Sequence, residues 1–346
     1  MKVAIATVQV PFIRGGADNL TMGLRDALAA RGVDTDVVTM PFRFHPPSEV
    51  LRSMQAWQGE DFTRLNGVAI ERVICLTFPS FYLRHPRKVA WLLHQHRAVY
   101  ELWDTPYAAD LRRSTEGQEL RRHIMVKDTR HLRSCRRVYT IAQEVSRRLR
   151  RFNAVDSTPL YHPPRFAERF YNAPAEPFIF FPSRLEALKR QDLLVRAMAH
   201  VRAPVSAYIA GEGGCRRDLE SLVDRLGLGR RVRLMGRISH DELLACYARC
   251  RAVFFGPYCE DYGYVTLEAM LSAKPVITCE DSGGSLEFVR HGRTGLVVPP
   301  TPREIAAAID QMHFHADEAE EMGRAGLARY RELGISWQRV VEELLS

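Results

Sequence analysis

The sequence predicts an α/β protein with two parallel sheets that face one another across a cleft. Strand-like apolar runs rich in β-branched residues alternate with helix-periodic segments from end to end, as in parallel sheets connected by helices. A length of 346 residues suits two domains better than one. Between residues 161 and 177 four prolines interrupt the alternation. We therefore expect a linker there, and ligand sites at the carboxyl ends of the strands.

The first half of the chain opens like a Rossmann unit. A buried strand at residues 3–8 leads to Gly15 and Gly16 and then to a helix at 18–31, which Gly32 ends. The apolar start is interpreted as this strand rather than a signal peptide, because no small-residue cleavage site follows it. Further strands are predicted at 36–39, 72–76, 89–94 and 138–142.

The second half repeats the alternation. Strands are predicted at 178–181, 205–210, 232–235, 252–255, 275–278 and 295–298, followed by a helix at 302–313. This half is therefore expected to form a second Rossmann-like domain.

Composition and cysteine spacing exclude several classes of protein. A hydrophobic fraction of 46% with 26% charged residues is typical of a globular protein. No apolar run approaches the roughly 20 residues that cross a bilayer. The seven cysteines are scattered without zinc-binding spacing, so we expect a reduced, cytoplasmic protein without a metal.

The formal net charge of +8 is concentrated in one segment. Residues 112–151 contain thirteen Arg or Lys against four Asp or Glu, a local net charge of +9. Three interpretations stay open: a solvated face, a surface for an anionic membrane or acceptor, and a nucleic-acid site, the last being the weakest.

The sharpest chemical pattern lies after the predicted strand 252–255. Glu260 lies in a loop, Gly263 permits a tight turn, and Tyr264 and Val265 begin a helix whose free N–H groups suit a phosphate. Glu268 follows one turn into that helix, so the two acids lie at different depths of one site. The alternative is that Glu260 is a helix cap and Glu268 a solvated surface residue.

Two further patterns point to a diphosphate. Arg184 and Lys189 follow the first strand of the second domain, where a guanidinium fork and an ammonium group could clamp two phosphates. A solvated basic helix start is the alternative. Gly211 belongs to a glycine-rich loop after the next strand, a weak signal because the full dinucleotide fingerprint is missing.

Together these residues resemble retaining glycosyltransferase family 4, whose fold is called GT-B. Glu260 and Glu268 match its E-x7-E motif, and Arg184 and Lys189 match its diphosphate clamp. Gly15 and Gly16 resemble its amino-terminal glycine loop, and residues 281–296 are similar to its late glycine-rich segment.

The resemblance implies a role for each matching residue. Glu268 would hold the donor ribose and Glu260 the transferred sugar. Arg184, Lys189 and the N–H groups of Tyr264 and Val265 would neutralise the leaving diphosphate. The remaining donor-binding candidates are the glycine loops and the segment that would hold the base: Gly15, Gly16, Gly211, Gly236, Arg237, Ile238 and Gly263.

His94 is the candidate from the first domain, because the family often has a histidine at this place near the donor sugar. One alternative is that His96 has this role, and another is that the histidine is purely structural. The following loop, with Tyr100 and Trp103, is interpreted as an acceptor-side loop whose exposed aromatics stack on sugars, although Trp103 could equally be a core residue. Asp18 stands where relatives often have Glu, which affects acceptor contacts rather than reaction class.

The resemblance also implies what the protein binds and where it acts. The donor would be a UDP- or GDP-sugar, the acceptor a glycan or a lipid-linked glycan in cell-surface polysaccharide synthesis, and the enzyme would need no cofactor or metal. Asp34 and Asp36 spell a metal-binding D-x-D pattern but are interpreted as turn and strand-entry residues. The enzyme would be cytoplasmic, with peripheral contact with an anionic membrane at its inner face.

Domain boundaries are expected at 1–168 for an acceptor domain and 169–330 for a donor-binding domain, with a final helix within 331–346 crossing back to the first. Two rival functions remain. One is an anionic-surface or nucleic-acid binding protein with degenerate sugar chemistry, using the basic segment. The other is a nicotinamide-dependent oxidoreductase, which the missing G-x-G-x-x-G after the first strand opposes.

Overall fold

The computed structural model describes residues 1–13 and 15–346. The chain divides into two compact units, residues 1–165 with 336–346 and residues 166–335. Each unit contains a six-stranded sheet of parallel strands flanked by helices. The predicted pair of Rossmann-like α/β domains is confirmed.

The first unit has the strand order β2-β1-β5-β6-β7-β8, with a small antiparallel hairpin of β3 and β4 outside the sheet. Its strands are β1 Lys2–Gln9, β2 Asp34–Pro41, β3 Arg64–Leu65, β4 Val68–Ala69, β5 Arg72–Cys75, β6 Lys88–Leu92, β7 Arg137–Thr140 and β8 Thr158–Pro159. Its first five helices are α1 Gly16–Ala30, α2 Pro47–Gly59, α3 Ala109–Arg113, α4 Thr115–Arg133 and α5 Gln143–Asn153.

The strands of the first sheet lie where the sequence has continuous runs of apolar residues. Every residue of β5 and β6 is buried, because helices cover both faces of a parallel sheet and the strand sequence needs no polar alternation. The predicted strand at 89–94 runs past the observed end of β6 at Leu92, which places His94 in the following loop. The short edge strand β8 was not predicted.

The second unit has the strand order β11-β10-β9-β12-β13-β14. Its strands are β9 Phe178–Pro182, β10 Ser206–Ala210, β11 Val232–Gly236, β12 Ala252–Phe254, β13 Val276–Cys279 and β14 Gly295–Val298. Its helices are α6 Gln191–Met198, α7 Arg216–Arg225, α8 His240–Arg249, α9 Tyr264–Leu271, α10 Pro302–Phe314 and α11 Ala316–Glu332. The order is that of the dinucleotide-binding α/β fold, in which the chain reverses direction across the sheet between its first and fourth strands.

The final helix, α12 Trp337–Leu345, packs against the first unit. The ring of Trp337 lies edge-to-face on the buried Trp91, with centroids 6.3 Å apart. The buried Arg72 donates from Nη1 to the carbonyl oxygen of Leu344 at 2.5 Å. The first unit is therefore assembled from two segments that are far apart in the chain.

Candidate functional site

The candidate residues of the second unit gather at the carboxyl edge of its sheet. β9 lies at the centre of that sheet, with β10 on one side and β12 on the other. The chain runs from β9 toward β10 and from β12 toward β13, which lie on opposite sides of the β9–β12 pair. The loops after β9 and β12 therefore diverge and leave room for a ligand. These two loops carry Lys189 and Glu260.

Backbone hydrogen bonds join the neighbouring loops. Ser183 N–H donates to Ala210 at 2.9 Å, and Gly211 N–H donates to Gly236 at 2.8 Å. Gly211 has φ +136, and a Cβ there would lie 2.0 Å from the carbonyl oxygen of Ser183. Only glycine allows this approach, so the predicted glycine loop serves to bring two loops together.

Lys189 and Glu260 form an ion pair between Nζ and Oε2. Their side chains are only 19% and 13% exposed, so the pair is largely withdrawn from water. The Lys189 ammonium group also lies 5.6 Å from the centroid of the Phe255 ring. The structure thus brings together two candidates that are 71 residues apart. Glu260 is not the cap of α9, a position that Gly263 takes.

Arg184 is the more exposed member of the predicted clamp. Its side chain is 47% exposed, and its guanidinium group lies 3.7 Å from Glu186. Such an exposed pair contributes little to stability. The same exposure leaves the Arg184 guanidinium group accessible to an anionic ligand.

Arg190, which the sequence did not single out, organises the same region. Its guanidinium group makes a bidentate ion pair with Asp281, with distances of 2.7 and 2.6 Å. It also donates to the carbonyl oxygens of Gly256 and Pro257 at 2.8 and 3.0 Å. Arg190, the sequence neighbour of Lys189, therefore ties the loop after β9 to the loops after β12 and β13.

Helix α9 begins at a left-handed residue. Gly263, its N-cap, has φ +81, and a Cβ there would lie 2.6 Å from the Ser285 hydroxyl. This conformation and this contact both require glycine. The N–H groups of Tyr264 and Val265 occupy the first turn, where no helical acceptor is available and the helix dipole favours an anion.

Glu268 lies half-buried on α9, and its Oε2 accepts a hydrogen bond from the Tyr247 hydroxyl at 2.5 Å. Burial raises the pKa of the Glu268 carboxyl to about 7, although the Tyr247 hydrogen bond lowers it. This pKa shift and this buried partner contradict the alternative that Glu268 is a solvated surface residue.

The candidate base-binding segment follows β11. Gly236 is buried, Arg237 is exposed, and Ile238 packs against the hydrophobic cluster that includes Phe180 and Tyr247. The segment therefore presents backbone groups and one cationic side chain at the same edge of the sheet.

In the first unit, His94 follows β6 and is half-buried. Its Nδ1 lies 2.6 Å from the Gln95 carbonyl oxygen, so Nδ1 carries a proton for this hydrogen bond and Nε2 is left for another partner. His96 is buried among Phe42 and Phe78 with ring centroids 6.5 and 5.4 Å away, and burial lowers its pKa to about 4. His96 is thus a neutral core residue.

The idea that aromatics after His96 stack on an acceptor is wrong. Tyr100 is buried and donates its hydroxyl to Asp128 at 2.9 Å. Trp103 is buried as well, with the Arg121 guanidinium carbon 4.6 Å above its ring. Both residues belong to the core of the first unit.

The glycine loop of the first unit begins α1. Gly15 is the N-cap, Gly16 is the first helical residue, and the Gly15 N–H donates to the Asp18 carboxylate at 2.8 Å. Asp18 therefore caps the start of α1 through its carboxylate, which is the half of a capping box that a glycine N-cap allows.

The D-x-D pattern occupies the start of β2 rather than a turn. Asp34 pairs with Lys2, and Asp36 accepts from the Val37 N–H at 2.8 Å. Across residues 1–13 and 15–346, no group of three His, Cys, Asp or Glu side chains is arranged to hold a metal ion.

The segment 112–151 contains α4, β7 and most of α5, and its charges are unevenly distributed between the surface and the interior. Arg148 is buried and pairs with Glu101 and Glu144 at 3.2 and 3.1 Å, so its charge is internal. On α4, Arg122 and Arg130 are exposed on one face with Val126 between them, whose side chain is 68% exposed. In the part of the chain that the structure describes, no helix is both long and apolar enough to span a bilayer.

Comparison with known proteins identifies the second unit. Residues 165–329 match the family described as Glycosyl transferases group 1. The D-rhamnosyltransferase WbpZ of Pseudomonas aeruginosa is 33% identical over 45% of this chain and 41% of its own length. A GDP-mannose-dependent phosphatidylinositol monomannoside mannosyltransferase of Mycobacterium tuberculosis is 34% identical over 45% of this chain and 43% of its own. The chain thus matches about two fifths of the length of these relatives.

The solved structure of Anabaena HepE in complex with UDP and glucose superposes on 99% of this chain and 99% of its own, with a TM-score of 0.72 and 18% identity. The likeness over both units confirms the GT-B fold. The match of residues 165–329 and the glycosyltransferase relatives confirm the resemblance to glycosyltransferase family 4.

Proposed function

We propose that this protein is a retaining glycosyltransferase that moves a sugar from a UDP- or GDP-sugar to a glycan or glycolipid acceptor. The observation that carries the proposal is the pairing of Lys189 with Glu260 at the carboxyl edge of the second sheet. The Lys189 ammonium group can neutralise a phosphate, and the adjacent Glu260 carboxylate can stabilise the positive charge that develops on the sugar. The family match, the UDP and glucose bound by HepE and the GDP-mannose dependence of the mycobacterial mannosyltransferase support a nucleotide-sugar donor.

The site suits departure of a diphosphate. As the bond from the anomeric carbon to the phosphate oxygen breaks, negative charge grows on the diphosphate, and Arg184 and Lys189 stabilise it. The N–H groups at the start of α9 add fixed dipoles directed at the same charge. These groups are already in place before reaction, so little reorganisation is needed.

Retention follows if the acceptor hydroxyl attacks from the face that the diphosphate leaves. The new bond forms from the acceptor oxygen to the anomeric carbon, and the hydroxyl proton passes to an oxygen of the departing diphosphate. Glu260 stabilises the positive charge on the sugar. Its carboxylate is already paired with Lys189, which argues against its use as a covalent nucleophile.

The nucleotide end is assigned to Glu268 and to Gly236, Arg237 and Ile238. The Glu268 carboxylate accepts hydrogen bonds from the ribose hydroxyls, and the backbone of the segment after β11 holds the base. His94 of the first unit keeps the role that the resemblance implies, a contact with the transferred sugar. Gly15 and Gly16 complete the predicted donor contacts.

A donor screen tests the proposal. Calorimetry and hydrolysis assays with a panel of UDP- and GDP-sugars should find one donor that binds and turns over slowly to free sugar and nucleoside diphosphate. The Lys189→Met variant is the matched control and should lose turnover of that donor. Failure of every donor to bind, together with salt-sensitive binding to DNA, would favour the rival anion-binding function.

Catalysis is expected to be independent of divalent metal. The cationic side chains and the first turn of α9 supply the positive charge that a metal would supply, and Asp34 and Asp36 are engaged in the first unit. Rates measured in excess EDTA should equal those in buffer, and added manganese should not raise them. Loss of activity in EDTA with recovery in manganese would contradict this assignment.

The exposed basic face of α4 is proposed to bring a cytoplasmic enzyme to the inner face of an anionic membrane, where a lipid-linked acceptor lies. Each basic residue contributes on the order of 1 kcal/mol near such a surface, less with added salt. Sedimentation with anionic vesicles should show binding that fades as salt is added. The Arg122→Glu/Arg130→Glu variant should bind less, whereas the same charge change at Arg217 and Arg225 on α7 should matter less. Absence of binding at low salt would refute the idea.

A further inference from the structure

The Tyr247 hydroxyl is the buried partner of Glu268 and has no assigned role in the reaction. It donates to Oε2 at 2.5 Å, at the short end of the range for a hydroxyl and a carboxylate. Tyr247 lies on α8 and Glu268 on α9, so the hydrogen bond connects two helices that follow different strands. A carboxylate has a second oxygen, and this geometry leaves Oε1 for another donor.

Tyr247 itself is held firmly. Its side chain is fully buried, and its ring lies edge-to-face against Phe180 at 5.1 Å and Phe170 at 5.6 Å. Aromatic contacts on two sides fix the ring and therefore the position of the hydroxyl oxygen. The rigid partner in the pair is the tyrosine, and the adjustable one is the glutamate, which has more rotatable bonds.

We propose that Tyr247 is the positioning residue for Glu268: its hydroxyl occupies one carboxylate oxygen and directs the other at the hydroxyls of the nucleotide ribose. This inference rests on the proposed function, because it assumes that a nucleotide is the ligand. The pair makes the site selective for ribonucleotides over 2′-deoxyribonucleotides, since a 2′-deoxyribose lacks one of the two hydroxyls that donate to the directed carboxylate oxygen.

The pair also sets the charge of Glu268. Burial favours the neutral acid, and the Tyr247 hydrogen bond favours the carboxylate, with a resulting pKa of about 7. The other titratable group that responds to Glu268 is Tyr264 on the same helix, whose pKa is raised by burial first and by Glu268 second. From α11, Gly326 approaches Met270 at the end of α9, and Gly323 approaches the Ala273 carbonyl oxygen just beyond that end. Ribose binding should therefore strengthen as the pH rises through about 7.

The test compares UDP with 2′-deoxy-UDP, or GDP with 2′-deoxy-GDP if the donor screen selects guanine. Calorimetry from pH 6 to pH 9 should show that the parent protein prefers the ribonucleotide by roughly tenfold to a hundredfold, the effect of a hydrogen bond to a charged group. The Tyr247→Phe variant keeps the ring and removes the hydroxyl. It should lose most of this preference, and its affinity for the ribonucleotide should rise only at a higher pH than in the parent.

Two controls separate positioning from a structural role. Affinity for the 2′-deoxynucleotide should be the same in the parent and in Tyr247→Phe, which shows that the rest of the site is intact. Glu268→Gln should remove the pH dependence except for the titration of the nucleotide itself, and adding Tyr247→Phe to it should change nothing more.

The outcomes are distinguishable. If the parent binds neither nucleotide, the proposed function fails. If the parent prefers the ribonucleotide and Tyr247→Phe keeps the same preference and pH profile, the proposed function stands and the role of Tyr247 is overturned. If Tyr247→Phe weakens both nucleotides equally, the hydroxyl supports the fold rather than Glu268, and the inference is again wrong.

Discussion

Replacing Glu260 by glutamine is expected to lower kcat by about 10² to 10³ while nucleoside diphosphate binding stays nearly unchanged. The substitution keeps the shape of the side chain but removes a negative charge beside the positively charged sugar of the transition state. Lys189 loses its ion-pair partner at the same time, yet it keeps the diphosphate as a counterion when donor is bound. The defect should therefore appear in turnover and not in ground-state affinity.

Glu268→Ala is the matched comparison. Glu268 lies on α9, which follows the loop of Glu260, but it is assigned to the nucleotide end of the donor and Glu260 to the sugar end. It should weaken UDP or GDP binding and raise KM, since ribose contacts are similar in the ground and transition states. Calorimetry with the free nucleotide and initial rates with the donor distinguish the two variants. Equal turnover in both variants and the parent would mean that neither carboxylate belongs to the site.

Replacing Arg190 by methionine is expected to destabilise the second unit by about 3 kcal/mol, because it leaves Asp281 without its cation and two carbonyl oxygens without their donor. For a unit of this size the loss corresponds to a melting temperature lower by roughly 6 to 12 °C. Turnover should fall as well, because the loops that carry Lys189 and Glu260 lose their common anchor. Thermal unfolding followed by calorimetry measures the first effect.

Arg184→Met is the control for Arg190→Met. Arg184 is 47% exposed and makes one long ion pair, so its loss should change stability by less than about 0.5 kcal/mol. Affinity for the diphosphate should nevertheless fall. An unchanged melting temperature in Arg190→Met, or a large drop in Arg184→Met, would reverse the structural assignments of the two arginines.

The sequence predicted the elements of the fold well and their long-range contacts poorly. Continuous apolar runs specify buried parallel strands, and for that reason the predicted strands agree with β1, β5 and β9 to within a residue or two. The strand at 89–94 was drawn too long because Leu93 continues the apolar run beyond β6. The edge strand β8 is two residues long and includes Pro159, which gives no strand signal.

In the candidate site, too, local positions were predicted from the sequence and long-range contacts were not. Local spacing placed Gly263 at the turn before α9 and Glu268 one turn later, where the structure has them. The contacts of Arg190 with Asp281 and of Tyr247 with Glu268 join residues 91 and 21 positions apart, and no local pattern marks either pair. The burial of Tyr100 and Trp103 could not be predicted either, because the sequence of a loop does not show which of its aromatic rings neighbouring helices cover.

The placement of α12 affects the order in which the protein is completed during synthesis. The first unit begins at residue 1, but it obtains Trp337 and the acceptor of Arg72 only after all of residues 166–335 have been made. At about 5–20 residues per second, its sheet waits roughly ten to thirty seconds on the ribosome without its last helix. The second unit, begun later, is finished first. The nascent first unit therefore exposes the apolar surface around Trp91 during this interval, and that is when it is most prone to aggregate or to need a chaperone.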